Sequence, residues 1–171
     1  MTPSDYTIRR ARPGELAALP AIERAAAVQF RETAFADIAD AELVSLALDP
    51  DRDHIWVAAD VADSPVGFAI AHLHDGEAHL HELDVHPAHA RRGLGSGLIG
   101  AVADWARQRG LTAVTLSTFR DIPWNGPFYA RLGFVPLAES ELNPALRAIV
   151  QAEAAAGLPV SERFCMRLTL G

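Results

Sequence analysis

The sequence holds no lysine, one cysteine, two methionines and no long apolar run. The single Cys165 excludes an internal disulfide and suits a reducing compartment. Set in an apolar segment, it reads as a buried structural thiol. No stretch approaches the roughly 20 apolar residues that a spanning helix needs, so no membrane partner is expected. The start, Met1-Thr2-Pro3-Ser4-Asp5, has neither a basic region nor an apolar run. No secretory signal is expected there, and a cytoplasmic location is. Basic groups are in the minority, and the formal net charge is -7. That excludes a general nucleic-acid binder and leaves room for a cationic partner such as an amine. With no lysine, every fixed cation is an arginine, a compositional feature that carries no mechanism.

What is present fits one domain over residues 1–171, half of it hydrophobic. Tyr6 to Arg10 alternates as a strand. Arg12-Pro13-Gly14-Glu15 turns into a helix marked by Leu16, Leu19, Ile22, Ala26 and Phe30. A second helix is expected from Asp40 to Leu48, closed by Asp49-Pro50-Asp51. Strands follow at His54–Val61, Val66–His74 and His79–Val85, with Asp75-Gly76 a hairpin turn between the last two. Pro87 ends the third strand, because it lacks the N–H that a ladder needs. A helix then runs to Arg109 with Gly110 as its cap. Leu111–Ser117 reads as a strand returning parallel to the His79 strand. Pro127–Leu132 is a short helix stopped at Gly133, and Phe134–Leu137 a strand. Asn143–Ala156 is a helix, and Phe164–Leu170 the last strand. The fold class is α/β (α+β): a mixed, mostly antiparallel sheet with helices on both faces and one parallel strand pair.

The organising stretch is the third strand with its exit, Arg91-Arg92-Gly93-Leu94-Gly95-Ser96-Gly97. Glycines between a strand and a helix let backbone N–H groups approach a ligand. The first N–H groups of a helix lack internal partners, and the dipole is positive there. Such a turn suits phosphate or pyrophosphate, and Arg91 and Arg92 add positive charge.

These segments resemble the GCN5-related N-acetyltransferase superfamily over nearly the whole chain. The likeness rests on Val85-His86-Pro87, on the Arg91–Gly95 loop, and on Asn125-Gly126-Pro127-Phe128-Tyr129-Ala130-Arg131-Leu132-Gly133-Phe134. The superfamily loop pattern opens with Gln or Arg. Aligned on Gly93 and Gly95, that position falls on Ala90, a departure touching one side-chain contact but not the backbone cradle; one step later Arg92, Gly95 and Gly97 satisfy the pattern, but the spacing from Pro87 favours the first register. A more local likeness, in Ala78-His79-Leu80-His81, Leu83 and Val85-His86, is to the arylalkylamine N-acetyltransferases. The resemblance implies acetyl-CoA as cosubstrate, lying between the two parallel strands. Backbone groups of Leu83, Asp84 and Val85 would meet its pantetheine arm or thioester. Those of Arg91, Arg92, Gly93, Leu94, Gly95 and Ser96 would hold its pyrophosphate. Asn125 would bond to the cofactor arm or cap the helix beginning near Pro127.

Acetyl transfer to an amine needs a base for the ammonium proton, a donor for the carbonyl oxygen and an acid for the departing thiolate. Tyr129 is the expected acid, since a phenol with a pKa of about 10 stays protonated at neutral pH. His81, with His79 as relay, and Glu82 compete as base. An imidazole pKa of about 6.5 suits the task, whereas Glu82 would need a raised pKa or an intervening water. Regular alternation puts Glu82 on the strand face opposite His81.

The seven histidines invite a metal reading, but no zinc-ligand spacing is present, so no metal is expected. The glycine run also hints at dinucleotide binding, which the preceding antiparallel meander argues against. A third alternative is a non-catalytic acyl-CoA-binding or sensing module. The expected partner is a small-molecule amine, with a homodimer left open.

Overall fold

A computed structural model describes residues 5–171. The N-terminal reading at Met1–Ser4 lies outside the described residues. Seven strands form one sheet in the order β1-β2-β3-β4-β5-β7-β6. They are β1 Thr7–Arg10, β2 His54–Ala59, β3 Pro65–His74, β4 Glu77–Val85, β5 Ala113–Phe119, β6 Val135–Pro136 and β7 Arg163–Thr169. The helices are α1 Leu19–Ala27, α2 Leu94–Gln108, α3 Gly126–Arg131 and α4 Pro144–Ala155. The sheet is mostly antiparallel with the single parallel pair β4·β5, as expected. No helix among the described residues is long and apolar enough to cross a membrane.

The chain forms two compact units. One holds the described residues up to Ala71 together with Glu82–Val102, and the other holds His72–His81 with Ala103–Gly171. In the first, β1 pairs with β2 and β2 with β3, all antiparallel. Leu19 and Ile22 of α1 pack with Ile55, Val57, Phe68 and Ile70 to form its core. β3 and β4 approach closely at Gly67, where a Cβ would lie 3.0 Å from the Asp84 carbonyl oxygen. α2 likewise approaches β1, since a Cβ on Gly97 would lie 3.3 Å from Ile8 side-chain carbons.

Two helix expectations change. The first helix is α-helical only from Leu19, with 3₁₀ turns at Pro13–Ala18 and Val28–Glu32 on either side. Pro20 falls in the first α-turn, where its missing N–H has no intrahelical role. The helix expected over Asp40–Leu48 is not formed; short 3₁₀ turns at Ala36–Asp40 and Val44–Leu46 take its place. The cause is a side chain from elsewhere. The Glu23 carboxylate accepts the N–H groups of Val44 at 2.7 Å and Ser45 at 2.8 Å, and also the Ser45 hydroxyl. Backbone donors claimed by a carboxylate are not available to a helical ladder.

In the second unit, Asp75 (φ +47°) and Gly76 (φ +79°) turn the chain from β3 into β4. Two left-handed residues make the turn that matches strand twist. The parallel register joins Ala78, His79 and Leu80 to Val114, Thr115 and Leu116. β5 pairs with β7 along its whole length, and β7 carries the two-residue edge strand β6. Arg163 of β7 pairs with Glu153 of α4 at 2.8 Å, and Glu153 accepts the Ser117 hydroxyl of β5 at 2.8 Å. Cys165 is buried, as expected, and burial pushes its thiol up to about 11.

Candidate active site

The loop after β4 begins with a 3₁₀ turn, Pro87–His89, where the Ala88 N–H donates to Nδ1 of His86 at 3.2 Å. Arg91 has φ +58° and Gly93 φ +78°, while Arg92 between them is not left-handed. Where right- and left-handed residues alternate, consecutive N–H groups turn toward one side and can receive an anion. The Gly97 N–H donates to the Gly93 carbonyl at 2.9 Å, the first intrahelical bond of α2. The N–H groups of Leu94, Gly95 and Ser96 precede it and have no carbonyl partner within the helix. Leu94 is buried and anchors the turn, with Gly95 and Ser96 half-buried. These are the N–H groups that the sequence reading assigned to a pyrophosphate.

The second half of β4 shows what the sequence did not reveal. Glu82 and Asp84 alternate onto one face, and Glu23 of α1 meets them there. Ligand oxygens from the three lie within 4.8 Å of one another. Burial first, then the charges of Glu82 and Glu23, raise the Asp84 carboxyl well above the usual carboxylate range. Asp84 therefore holds a proton where an ordinary aspartate has lost it. Sequence alternation gave Glu82 and Asp84. Only a carboxylate on the buried stripe of α1, between Ile22 and Ala26, could have pointed to Glu23. Leu83 and Val85 are half-buried between these groups on the strand.

The first half of β4 carries the histidines. His79 is buried, with Nδ1 3.1 Å from the Thr115 hydroxyl on its register partner. Burial, followed by His81, His74, His72 and Arg163, lowers its pKa to about 3. It is therefore neutral throughout the physiological range. His81 is exposed at the strand surface. Its ring stacks on His72 with centroids 4.4 Å apart, while His72–His74 and His74–His79 meet edge-on at 5.8 Å and 5.9 Å. The hairpin thus gathers His72, His74, His79 and His81. Glu82 lies with the carboxylates Glu23 and Asp84.

Tyr129 sits on α3, buried and edge-on to Phe128 at 5.2 Å and Phe134 at 5.7 Å. A glycine is required where α3 begins: a Cβ on Gly126 would lie 2.6 Å from the Arg120 carbonyl oxygen. That close approach seats the helix against the end of β5. Asn125 does not cap α3 through its side chain. Its Oδ1 instead accepts the Thr118 hydroxyl at 2.7 Å, and its Nδ2 is buried without a hydrogen-bond partner among the described residues. Leaving such a donor unmet costs about 1–3 kcal/mol. The Tyr129 N–H donates to the Asn125 carbonyl at 3.0 Å, so one helical turn separates the two side chains.

The mixed seven-stranded sheet with one parallel pair, followed by a glycine turn into α2, is the fold class expected from the sequence. The chain belongs to the acetyltransferase (GNAT) family, whose model matches residues 18–134, and is an acetyl-CoA-dependent acyltransferase. Its fold is similar to that of the PaiA N-acetyltransferase from Thermoplasma acidophilum in complex with coenzyme A. That match has a TM-score of 0.72 at 14% identity, covering 96% of this chain and 98% of that one. The ribosomal-protein-S18-alanine N-acetyltransferase from Escherichia coli matches with a TM-score of 0.68 at 19% identity, over 97% and 94% of the chains. N-acetylglutamate synthase from Neisseria gonorrhoeae, complexed with coenzyme A and N-acetyl-glutamate, matches with a TM-score of 0.69 at 17% identity. There the match covers 97% of this chain and 35% of that one. At these identities the likeness is one of fold.

Proposed function

We propose that the protein transfers the acetyl group of acetyl-CoA to a small-molecule primary amine by direct attack, with Tyr129 as general acid. The relation of Asn125 to Tyr129 carries this reading. One turn of chain joins a donor with no partner among the described residues to the buried Tyr129. The orphan Nδ2 suits an amide or thioester carbonyl of the cofactor arm. The phenol, still protonated at neutral pH, would then deliver its proton to the departing thiolate. Backbone N–H groups from Arg91 to Ser96 hold the pyrophosphate, and backbone groups of Leu83, Asp84 and Val85 meet the arm.

His81 is the proposed base. It is solvent-exposed, so a proton taken from the ammonium passes to water without a second carrier. His79, with its pKa lowered to about 3, orders the hairpin better than it stores a proton. Glu82 is the competing base, and its side chain sits among carboxylates that already favour keeping a proton on Asp84.

Thiol release from acetyl-CoA across a panel of amines tests the reaction, and Tyr129→Phe tests the acid. With chemistry rate-limiting, this variant should lose about 100- to 10,000-fold in kcat with CoA affinity unchanged. Near-parental turnover would remove Tyr129 as the main acid. CoA binding with no thiol release on any amine would favour a non-catalytic acyl-CoA-binding module.

A further inference from the structure

The phosphate loop is tied to the residues just before β1. The Tyr6 phenol oxygen accepts Nη1–H of Arg92 at 2.8 Å and lies 2.9 Å from Nδ1 of His89. An oxygen that accepts from arginine has its own proton left to donate, and Nδ1 of His89 is in reach to accept it. Arg92 also donates to the Ala88 carbonyl at 3.3 Å and lies 5.8 Å from the Tyr6 ring centroid. The His89 ring meets the Tyr6 ring edge-on at 5.8 Å. Arg92 therefore ties both ends of its own turn to Tyr6.

Arg91, one residue earlier, is the opposite case. It is exposed and makes no hydrogen bond or ion pair among the described residues. Its left-handed backbone, φ +58°, costs a side-chain-bearing residue about 1–2 kcal/mol and persists only where the surroundings enforce it. The Arg92 clamp supplies that enforcement from the next residue.

We propose that the two loop arginines have separate roles. Tyr6 and Arg92 are positioning residues that hold the cradle in its alternating conformation, and Arg91 is the side-chain cation that meets the CoA phosphates. The proposal rests on the cradle reading above. It explains why a loop with adjacent arginines directs one of them back onto the protein: a concavity built of backbone N–H groups works only while its φ angles hold.

Calorimetric titration with CoA at rising salt separates the roles, because an exposed charge on phosphate is screened and a preformed backbone is not. Arg91→Ala should weaken binding about 5- to 10-fold at low salt and flatten the salt dependence, and Arg91→Lys should restore that dependence. Tyr6→Phe, which leaves both loop charges in place, should weaken binding about 3- to 5-fold with the parental salt dependence, and Arg92→Gln should weaken it at least as much. Their combination should be no worse than Arg92→Gln alone, because both break one clamp. In the clamp variants, KM for acetyl-CoA should rise while kcat at saturation stays put. Arg92 is exposed, so Arg92→Gln serves if Tyr6→Phe folds poorly. Parental affinity in Arg92→Gln, or a Tyr6→Phe that flattens the salt dependence as Arg91→Ala does, overturns the separation. Gly95→Asp, run alongside, tests the cradle itself. A folded Gly95→Asp protein with parental CoA affinity means that the cradle reading failed, whatever the arginine variants show.

Discussion

The two halves of β4 treat buried titratable groups in opposite ways and reach the same end. In the first half, burial takes the proton off His79 and lowers its pKa to about 3. In the second, burial beside Glu82 and Glu23 keeps the proton on Asp84. Each side chain ends up neutral, because a low-dielectric environment penalises charge of either sign. The difference lies in what stands nearby. His79 has a hydroxyl partner and an exposed imidazole two residues along the strand, while Asp84 stands beside the carboxylates of Glu23 and Glu82.

The sharpest way to break this contrast is to remove the proposed base from one half and its rival from the other. His81→Gln should lower kcat/KM by about 100-fold or more and erase the enzyme-linked acidic limb of the pH–rate profile. Glu82→Gln should keep that limb. Amines of different pKa separate it from deprotonation of the substrate. The reverse outcome would move the chemistry into the carboxylate half.

A second effect, in stability, follows from His79. Its folded pKa lies below the unfolded value of about 6.5. Its contribution is therefore fully present above that pH and is lost as pH falls from there toward 3. Within this window the loss approaches 1.4 kcal/mol per pH unit, at most, from this one group. Urea unfolding of His79→Gln across pH 4–7 should show a shallower acid slope than the parent. An unchanged slope would mean that the imidazole is solvated in solution.

Asp84 gives a smaller effect of opposite sign. Its folded pKa is raised, so its contribution is fully present below about pH 3.9 and falls as pH rises toward the folded pKa. Asp84→Asn removes the ionisation penalty while nearly preserving shape. It should raise Tm at pH 8, by about 2–4 °C for each kcal/mol regained in a chain of this size, and leave Tm at pH 4 almost unchanged. Equal shifts at both pH values would assign the gain to packing instead.

The frame of this contrast was legible in sequence because its signals are local. Asp75-Gly76 set the hairpin, the His79–Val85 alternation set the strand faces, and Gly93–Gly97 marked the start of α2. The Asn125–Phe134 segment set α3 and its stop. The residues around Asp40–Leu48 misled for the converse reason. Their helix-like pattern was overruled by the Glu23 carboxylate, whose hold on Val44 and Ser45 spans more than a turn of any local element. The same residue closes the carboxylate cluster, so one non-local side chain hid both features. The Thr118 hydroxyl on Asn125, which leaves Nδ2 unmet, was invisible for the same reason.

The far edge of the sheet bears on how this protein behaves in a crowded solution. β6 is only Val135–Pro136, and Val135 is exposed. An outermost strand with open N–H and C=O groups invites another chain to add itself and start a fibre. Here the open length is two residues and one of them has no N–H to offer. The exposed valine thus sits where a neighbouring strand could form almost no ladder, which protects the fold against polymerisation through that side.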